Sequence, residues 1–311
     1  MREILLRDSD SSIDNPNSTA RVVVVSYGVR VGIRTDTPWI LHRFLNRLPP
    51  GSNVSSGGSI RRSYSIVSSS GRRAKTPSRF DLYADGVALA RKDGVADVLE
   101  TLESDLQHYV AEMARHRVFV HAGVVGLNGM GVLIPGRSFA GKSTLVAEMV
   151  RAGATYYSDE YAVLDSQGRV HPFARPLGIR ENRNGKATKY PVEAFGGRAG
   201  VKPLPVALVI SSRYVESTDW QPRRISAGQG ALELLANTVP ARSQPERSLV
   251  TLQRAASHAY FFKGNRGEAG DLAKWILEFI EKVSSQEKST PPSTSSNRAQ
   301  NIRERWCAVA R

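Results

Sequence analysis

Two glycines, a lysine and a serine in a fixed spacing constrain this chain more than any other feature. A strand-like segment precedes them and a helix-like segment follows, a context in which glycines let backbone N–H groups close around an anion. The helix N-terminus behind them adds the positive end of its dipole. The alternative is a chance match at a glycine-containing turn. The residues concerned are Gly136, Arg137, Ser138, Phe139, Ala140, Gly141, Lys142, Ser143 and Thr144.

This pattern predicts a phosphate loop, and the residue types of such a loop indicate which ligands it binds. Lys142 would reach the β- and γ-phosphate oxygens of a nucleoside triphosphate, and the Ser143 hydroxyl would ligate Mg²⁺. We therefore expect ATP and Mg²⁺ as the cofactors.

The strand that feeds this loop follows a tight turn. Asn128-Gly129 between apolar runs at 118–126 and 131–134 predicts a β-hairpin, which makes these two strands antiparallel. A nucleotide motor has a parallel sheet with a later apolar strand that ends in Asp, but the best candidate strand, 206–210, leads into Ser211. The predicted fold class is therefore α/β with a mixed sheet, in which an antiparallel hairpin feeds the phosphate loop.

Patterns along the chain predict three regions. The first, 20–116, is a small α+β module, with strands at 21–27, 29–33, 63–67, 80–83 and 87–90 and helices at 38–47 and 95–115. The second, 117–284, carries the loop, helices at 142–151, 228–237 and 270–283, and strands at 155–164 and 203–210. The third, 285–311, is rich in Ser, Thr, Pro, Gln and Lys, a composition typical of a disordered tail.

Two adjacent carboxylates lie one helix downstream of the loop. Asp159 and Glu160 interrupt the predicted strand at 155–164, where a strand end would face the γ-phosphate. One carboxylate could accept the proton of an attacking hydroxyl while the other holds magnesium. Because neighbours on an extended strand point to opposite sides, both can serve only at a bulge or turn. The alternative is an exposed polar strand end.

The segment from about 118 to 214 resembles the catalytic domain of HPr kinase/phosphorylase, a bacterial serine kinase related in fold to phosphoenolpyruvate carboxykinase. The resemblance rests on four stretches: His121-Ala122-Gly123-Val124-Val125, Gly131-Val132-Leu133-Ile134-Pro135-Gly136 leading into Gly141-Lys142-Ser143, Ser158-Asp159-Glu160, and Arg175-Pro176-Leu177-Gly178-Ile179. It implies a kinase core with Lys142 and Asp159 in catalysis, Asp159 as the base, and Glu160 beside Ser143 as a metal contact. His121 is either a further catalytic residue or a core histidine.

The sequence departs from that family at two positions. Phe173 stands where the family has a glutamate, and Phe139 stands where its loop has a glycine. The chain looks more like the broader group of related bacterial kinases, some of which phosphorylate serines of peptides, including the tails of lasso-peptide precursors. Arg175 and Arg180 could neutralise developing phosphoryl charge.

The net charge of +14 and the pI of about 10.1 call for an anionic partner or a solvated basic surface. The basic residues occur in scattered pairs without interleaved aromatic residues, which disfavours nucleic acid. No run of the ~20 apolar residues that span a bilayer is present, so no membrane is expected. The lone Cys307 and the charged first residues fit a cytoplasmic protein. Oligomeric state, including a homo-oligomer, stays open.

Three functions fit these features. The first is an ATP-dependent kinase that phosphorylates a hydroxyl, namely a serine of a peptide or small protein. The second is a nucleotide-binding regulator or scaffold with little or no turnover, and the third is a basic nucleic-acid-binding protein. The combination of Lys142, Ser143 and Asp159 favours the kinase, because a scaffold requires no base.

Overall fold

The computed structural model describes residues 6–7, 19–69, 79–136, 140–180, 185 and 187–288. The strands of the N-terminal part are β1 (Leu6–Arg7), β2 (Ala20–Ser26), β3 (Val29–Thr35), β4 (Ser52–Ser55), β5 (Arg62–Ser69), β6 (Arg79–Ala84) and β7 (Val87–Lys92). The later strands are β8 (Val118–Leu127), β9 (Met130–Pro135), β10 (Thr155–Ser158), β11 (Tyr161–Leu164), β12 (Val170–His171), β13 (Leu177–Ile179), β14 (Thr188–Tyr190), β15 (Val206–Tyr214), β16 (Arg223–Arg224) and β17 (Tyr260–Arg266). The helices are α1 (Pro38–Leu45), α2 (Val95–Met113), α3 (Lys142–Arg151), α4 (Ala227–Leu235), α5 (Pro245–Ala256) and α6 (Ala269–Lys288).

The first sheet has the order β1-β2-β3-β5-β6-β7, with β4 also paired to β2. Only β3 and β5 pair in parallel among its described strands. Alternate residues of β2 and β3 are buried, so one face of the sheet is apolar. Helices α1 and α2 cover that face, and the strands and helices share one core.

The second sheet has the order β12-β11-β8-β9-β15-β17-β16, and β10 also pairs with β8. Strand β15 lies between β9 and β17 and is parallel to both, whereas β8 and β9 are antiparallel. One face packs against α3 and α6, and the other packs against α4 and α5. Because both faces are covered, β8 and β9 are almost continuously buried rather than alternating.

The mixed α/β fold class is confirmed, including the hairpin that precedes the loop. Asn128 and Gly129 have φ values of 49° and 78°, the positive pair that a tight type I′ turn requires. The register that follows pairs Ala122 with Pro135. The predicted strand pair therefore ends where the loop begins.

The predicted interruption of the strand 155–164 is confirmed, since a bend at Asp159 and Glu160 separates β10 from β11. Other predicted boundaries were wrong. Strand β15 continues to Tyr214 because β17 pairs with it along that stretch. Helix α5 and strand β17 were not predicted.

The C-terminal boundary also differs. Helix α6 ends at Lys288, beyond the predicted end at 283 and beyond the predicted start of the tail at 285. Residues 289–311, including Cys307, lie outside the described part of the chain. The predicted division at 116/117 stays a prediction, although it falls between α2 and β8.

Aromatic rings join the two sheets. Phe119 of β8 lies edge-on to Tyr27 at 5.2 Å, and it makes further edge contacts with Tyr161 and Phe173. Gln244, the residue before α5, extends the junction, because its side chain donates a hydrogen bond to the backbone carbonyl of Glu112 in α2. The N-terminal helix α2 is thereby held beside the second sheet. Within the described residues, no helix is both long enough and apolar enough to cross a membrane.

The position of α3 depends on a close approach at Gly123 of β8. A Cβ built there would lie 2.7 Å from Cγ2 of the buried Val146. We expect Gly123→Ala to lower the free energy of unfolding by about 1–3 kcal/mol, because Val146 is β-branched and has little room to move. Urea unfolding measures this change.

Gly228→Ala is the matched control. Gly228 is exposed in α4, and nothing lies within 4 Å of a Cβ built on it. The same substitution there should raise stability by up to about 1 kcal/mol through helix propensity. Equal effects at the two positions would show that α3 does not depend on the close approach.

Candidate functional site

Strand β9 and helix α3 meet at the loop predicted to bind phosphate. Residues 137–139 lie outside the described part, but Gly136 and residues 140–144 are described. Gly141 caps α3 in the left-handed conformation with φ of 74° and, as a glycine, makes no side-chain capping hydrogen bond. Because the first N–H groups of a helix have no intrahelical acceptor, this end of α3 is suited to an anion.

Lys142, the first residue of α3, turns back toward Gly136. Its Nζ lies 2.8 Å from the Gly136 carbonyl oxygen. Burial lowers the pKa of Lys142, while the nearby carboxylates of Asp159 and Glu160 act in the opposite direction. A bound phosphate would favour the charged ammonium in the same way.

Asp159 and Glu160 occupy the bend between β10 and β11. The pairing of β10 with β8 shifts register between Tyr156 and Ser158, which is the irregularity that the two carboxylates require. The Ser158 hydroxyl stabilises the bend by accepting hydrogen bonds from the backbone N–H groups of Glu160 at 3.1 Å and Tyr161 at 2.9 Å.

Asp159 lies against the start of α3. The Ser143 hydroxyl donates to its Oδ2 at 2.9 Å, and the Gly178 backbone N–H donates to the same oxygen at 3.2 Å. The Tyr156 hydroxyl lies 2.9 Å from Oδ1 and 2.8 Å from the Arg175 carbonyl oxygen. Burial raises the pKa of Tyr156, so this phenol is a neutral donor.

Glu160 belongs to a network of ion pairs. Its Oε2 accepts a hydrogen bond from Nη1 of Arg175 at 3.1 Å, and Nη2 of Arg175 contacts the buried Glu103 of α2. Glu103 also pairs with Arg47 at 3.0 Å and lies 4.0 Å from Lys189. The N-terminal helix α2 thus supplies the carboxylate that holds Arg175 beside Glu160.

Burial raises the pKa of Glu160, and Arg175 only partly reverses the effect. The side chain keeps 42% of its surface accessible, although protein surrounds the carboxylate on most sides. A carboxylate with a raised pKa is a stronger base than an ordinary glutamate. Glu160 is therefore suited to accept a proton.

His121 lies on β8 beside this group of residues. Its ring packs against Tyr161 with centroids 4.8 Å apart, and its backbone carbonyl accepts from the Gly136 N–H. Burial, Lys142 and His108 lower the pKa of His121 to about 4. The imidazole is therefore neutral at pH 7, which favours a packing role or a hydrogen-bonding role over that of a cation.

Phe173 and Arg180 were also singled out in the sequence. Phe173 is buried in the aromatic junction, where no carboxylate could stand without losing those ring contacts. Arg180 follows β13.

Three residues at the site were not predicted: Tyr156, Glu103 and Arg266. Tyr156 carries no sequence signal beyond its place in an apolar strand. The hydrogen bonds of Glu103 to Arg175 and of Arg266 to Gly141 span 72 and 125 residues. Only the fold brings these residues together.

The oxygen donors at the site fit magnesium better than a transition metal. No group of three or more His, Cys, Asp or Glu side chains that could hold a metal occurs in the described ranges. Magnesium in phosphotransfer sites uses one or two protein ligands together with phosphate and water. The Ser143 hydroxyl and the Asp159 carboxylate could supply those ligands.

Comparisons with known proteins found little similarity. No family model and no curated protein matches the sequence. The solved structures that match include the HPr(Ser) kinase/phosphatase from Coxiella burnetii, at 16% identity and a TM-score of 0.30. The alignment covers 55% of this chain and 99% of that one. A likeness this distant assigns neither a family nor a function.

The lowered pKa of His121 has a consequence for stability. Between pH 6.5 and pH 4 the unfolded chain binds a proton at this side chain that the folded chain does not, so stability falls as the pH falls through this range. Relative to His121→Asn, we expect the parent protein to lose on the order of 1 kcal/mol between pH 7 and pH 5, allowing for solvent screening.

Urea unfolding of both proteins at the two pH values measures this difference. Carboxylates that titrate in the same range are common to the two proteins, so their contribution cancels. Parallel stability curves would show that His121 becomes charged in the folded protein as readily as in the unfolded one.

Proposed function

We propose that this protein is a Mg²⁺-dependent kinase that transfers the γ-phosphate of ATP to a hydroxyl, namely a serine of a peptide or small protein. The observation that carries the proposal is the contact between Ser143 and Asp159 beside Lys142 at the N-terminus of α3. A lysine, a hydroxyl and a carboxylate at the start of one helix are the groups that phosphoryl transfer requires.

The contacts favour a division of roles different from the one the resemblance implied. Asp159 touches Ser143, so we assign these two residues to magnesium, which would neutralise phosphate charge when bound. Glu160 has the raised pKa, so we assign it as the acceptor of the serine proton. Arg175 orients Glu160 through the hydrogen bond at 3.1 Å.

Substitution of the two carboxylates distinguishes these roles. Glu160→Gln keeps the shape but removes the base, so phosphoryl transfer should fall by about 10²–10⁴ with MgATP affinity within a few-fold. Asp159→Asn should instead weaken MgATP binding and raise the Mg²⁺ concentration needed for half-maximal rate. Slow ATP hydrolysis, with water as the acceptor, serves as the assay before the serine substrate is known.

The opposite pattern would restore Asp159 as base and Glu160 as metal contact. If both variants turn over ATP at the parental rate, neither residue takes part and the kinase proposal fails.

The lysine provides a separate test of nucleotide binding. Lys142→Ala should reduce MgATP affinity by about tenfold or more, since a charge-assisted contact with phosphate is lost. Its folding should be unimpaired because burial opposes the charge of this side chain. Calorimetry with MgATP measures the affinity, and equal binding by variant and parent would contradict the nucleotide site.

The second candidate function is a nucleotide-binding regulator. Phe173 favours it, because this buried ring stands where the resembled family has a carboxylate. Tight MgATP binding by the parent, without transfer to water or to any serine peptide or carrier protein, would support this function over the kinase.

A further inference from the structure

A buried arginine lies at the end of β17, the last strand of the described part of the chain. Arg266 is only 4% exposed. Its Nη1 donates to the Gly267 carbonyl at 3.0 Å and its Nη2 to the Gly141 carbonyl at 3.2 Å, whereas Nε has no partner. Among the described residues, none of the ion pairs includes Arg266.

The neighbours of Arg266 compensate its charge only weakly. The ring of Tyr214 lies 5.6 Å below the guanidinium carbon. Glu268 attracts Arg266 electrostatically, but its carboxylate is at the hydroxyl of Tyr214. A buried charge that lacks a paired carboxylate is costly to the folded state. An anion bound nearby would offset this cost.

The guanidinium lies against the start of α3. A Cβ built on Gly141 would lie 2.5 Å from Nη2, so the arginine touches the residue that caps the helix. Lys142 follows directly, and its Nζ extends to Gly136. Two cationic side chains, one from α3 and one from β17, therefore adjoin the same helix N-terminus.

We propose that Arg266 is a second cationic contact for the polyphosphate bound at the N-terminus of α3. The ligand class is a nucleoside triphosphate or diphosphate, or pyrophosphate itself, because only the phosphates would contact that helix end. The inference rests on the proposed nucleotide site and extends it to a strand distant in sequence.

Arg266→Met tests the proposal by opposing effects on stability and binding. Removal of a buried, uncompensated charge should leave the melting temperature of the unliganded protein at or above that of the parent. The affinities for MgATP and for pyrophosphate should both fall by about ten- to a hundredfold. Arg266→Lys, which keeps the charge, should recover part of both affinities. Thermal unfolding and calorimetry with these two ligands supply the measurements.

Arg213→Met is the matched control. Arg213 is exposed on the neighbouring strand β15, where it pairs with Asn265, so this change removes the same charge from the protein as a whole. It should leave both affinities unchanged. A similar loss of affinity in this variant would show that only overall charge matters and would overturn the proposal.

The remaining outcomes separate this inference from the proposed function. If the parent binds MgATP and Arg266→Met binds it equally, Arg266 is a structural residue and only this inference fails. The same conclusion follows if unliganded Arg266→Met melts well below the parent or does not fold. If the parent binds neither ligand, the nucleotide site itself is wrong and the inference fails with it.

Discussion

The antiparallel pairing of β8 with β9 is the constraint on which the rest of the site depends. The turn at Asn128 and Gly129 fixes the register, and the register places the backbone of Gly136 beside that of His121. Strand β8 also pairs with β10 and β11, so the bend that carries Asp159 and Glu160 is attached to the same strand. The loop and the carboxylates therefore meet because β8 serves both.

Two groups of charged side chains lie at the site. In the first group, Glu103 of α2 forms ion pairs with Arg47, Arg175 and Lys189. Glu160 belongs to the same group through its ion pair with Arg175. In the second group, Lys142 and Arg266 adjoin the start of α3. With Glu100, which lies 3.9 Å from Lys189, the first group has three cations and three carboxylates, whereas Lys142 and Arg266 both carry positive charge. Such a division would draw an anion to one end of the site and leave the carboxylates to handle protons or a metal.

Local patterns were sufficient to predict much of the fold. The turn at Asn128 and Gly129, the bounds of α3 and five of the N-terminal strands follow from short-range signals, whereas the short strands β1 and β4 were not predicted. Strand β17 and the end of β15 did not follow from such signals, because each depends on pairing with a partner far along the chain. The site divides in the same way. Ser143 and Asp159 belong to recognisable motifs, whereas Tyr156, Glu103 and Arg266 contribute only through tertiary contacts.

The place of β15 has a consequence for how the protein assembles. This strand lies between β9 and β17, and both pairings are parallel, so each requires a long connection to close before any hydrogen bond forms. During synthesis, β9 and β15 can pair while β17 is still absent, which leaves β15 as an open edge of the sheet. The C-terminal strand covers that edge and brings Arg266 to Gly141 in the same step. A nascent chain interrupted before β17 would therefore be both prone to aggregation and incomplete at the start of α3.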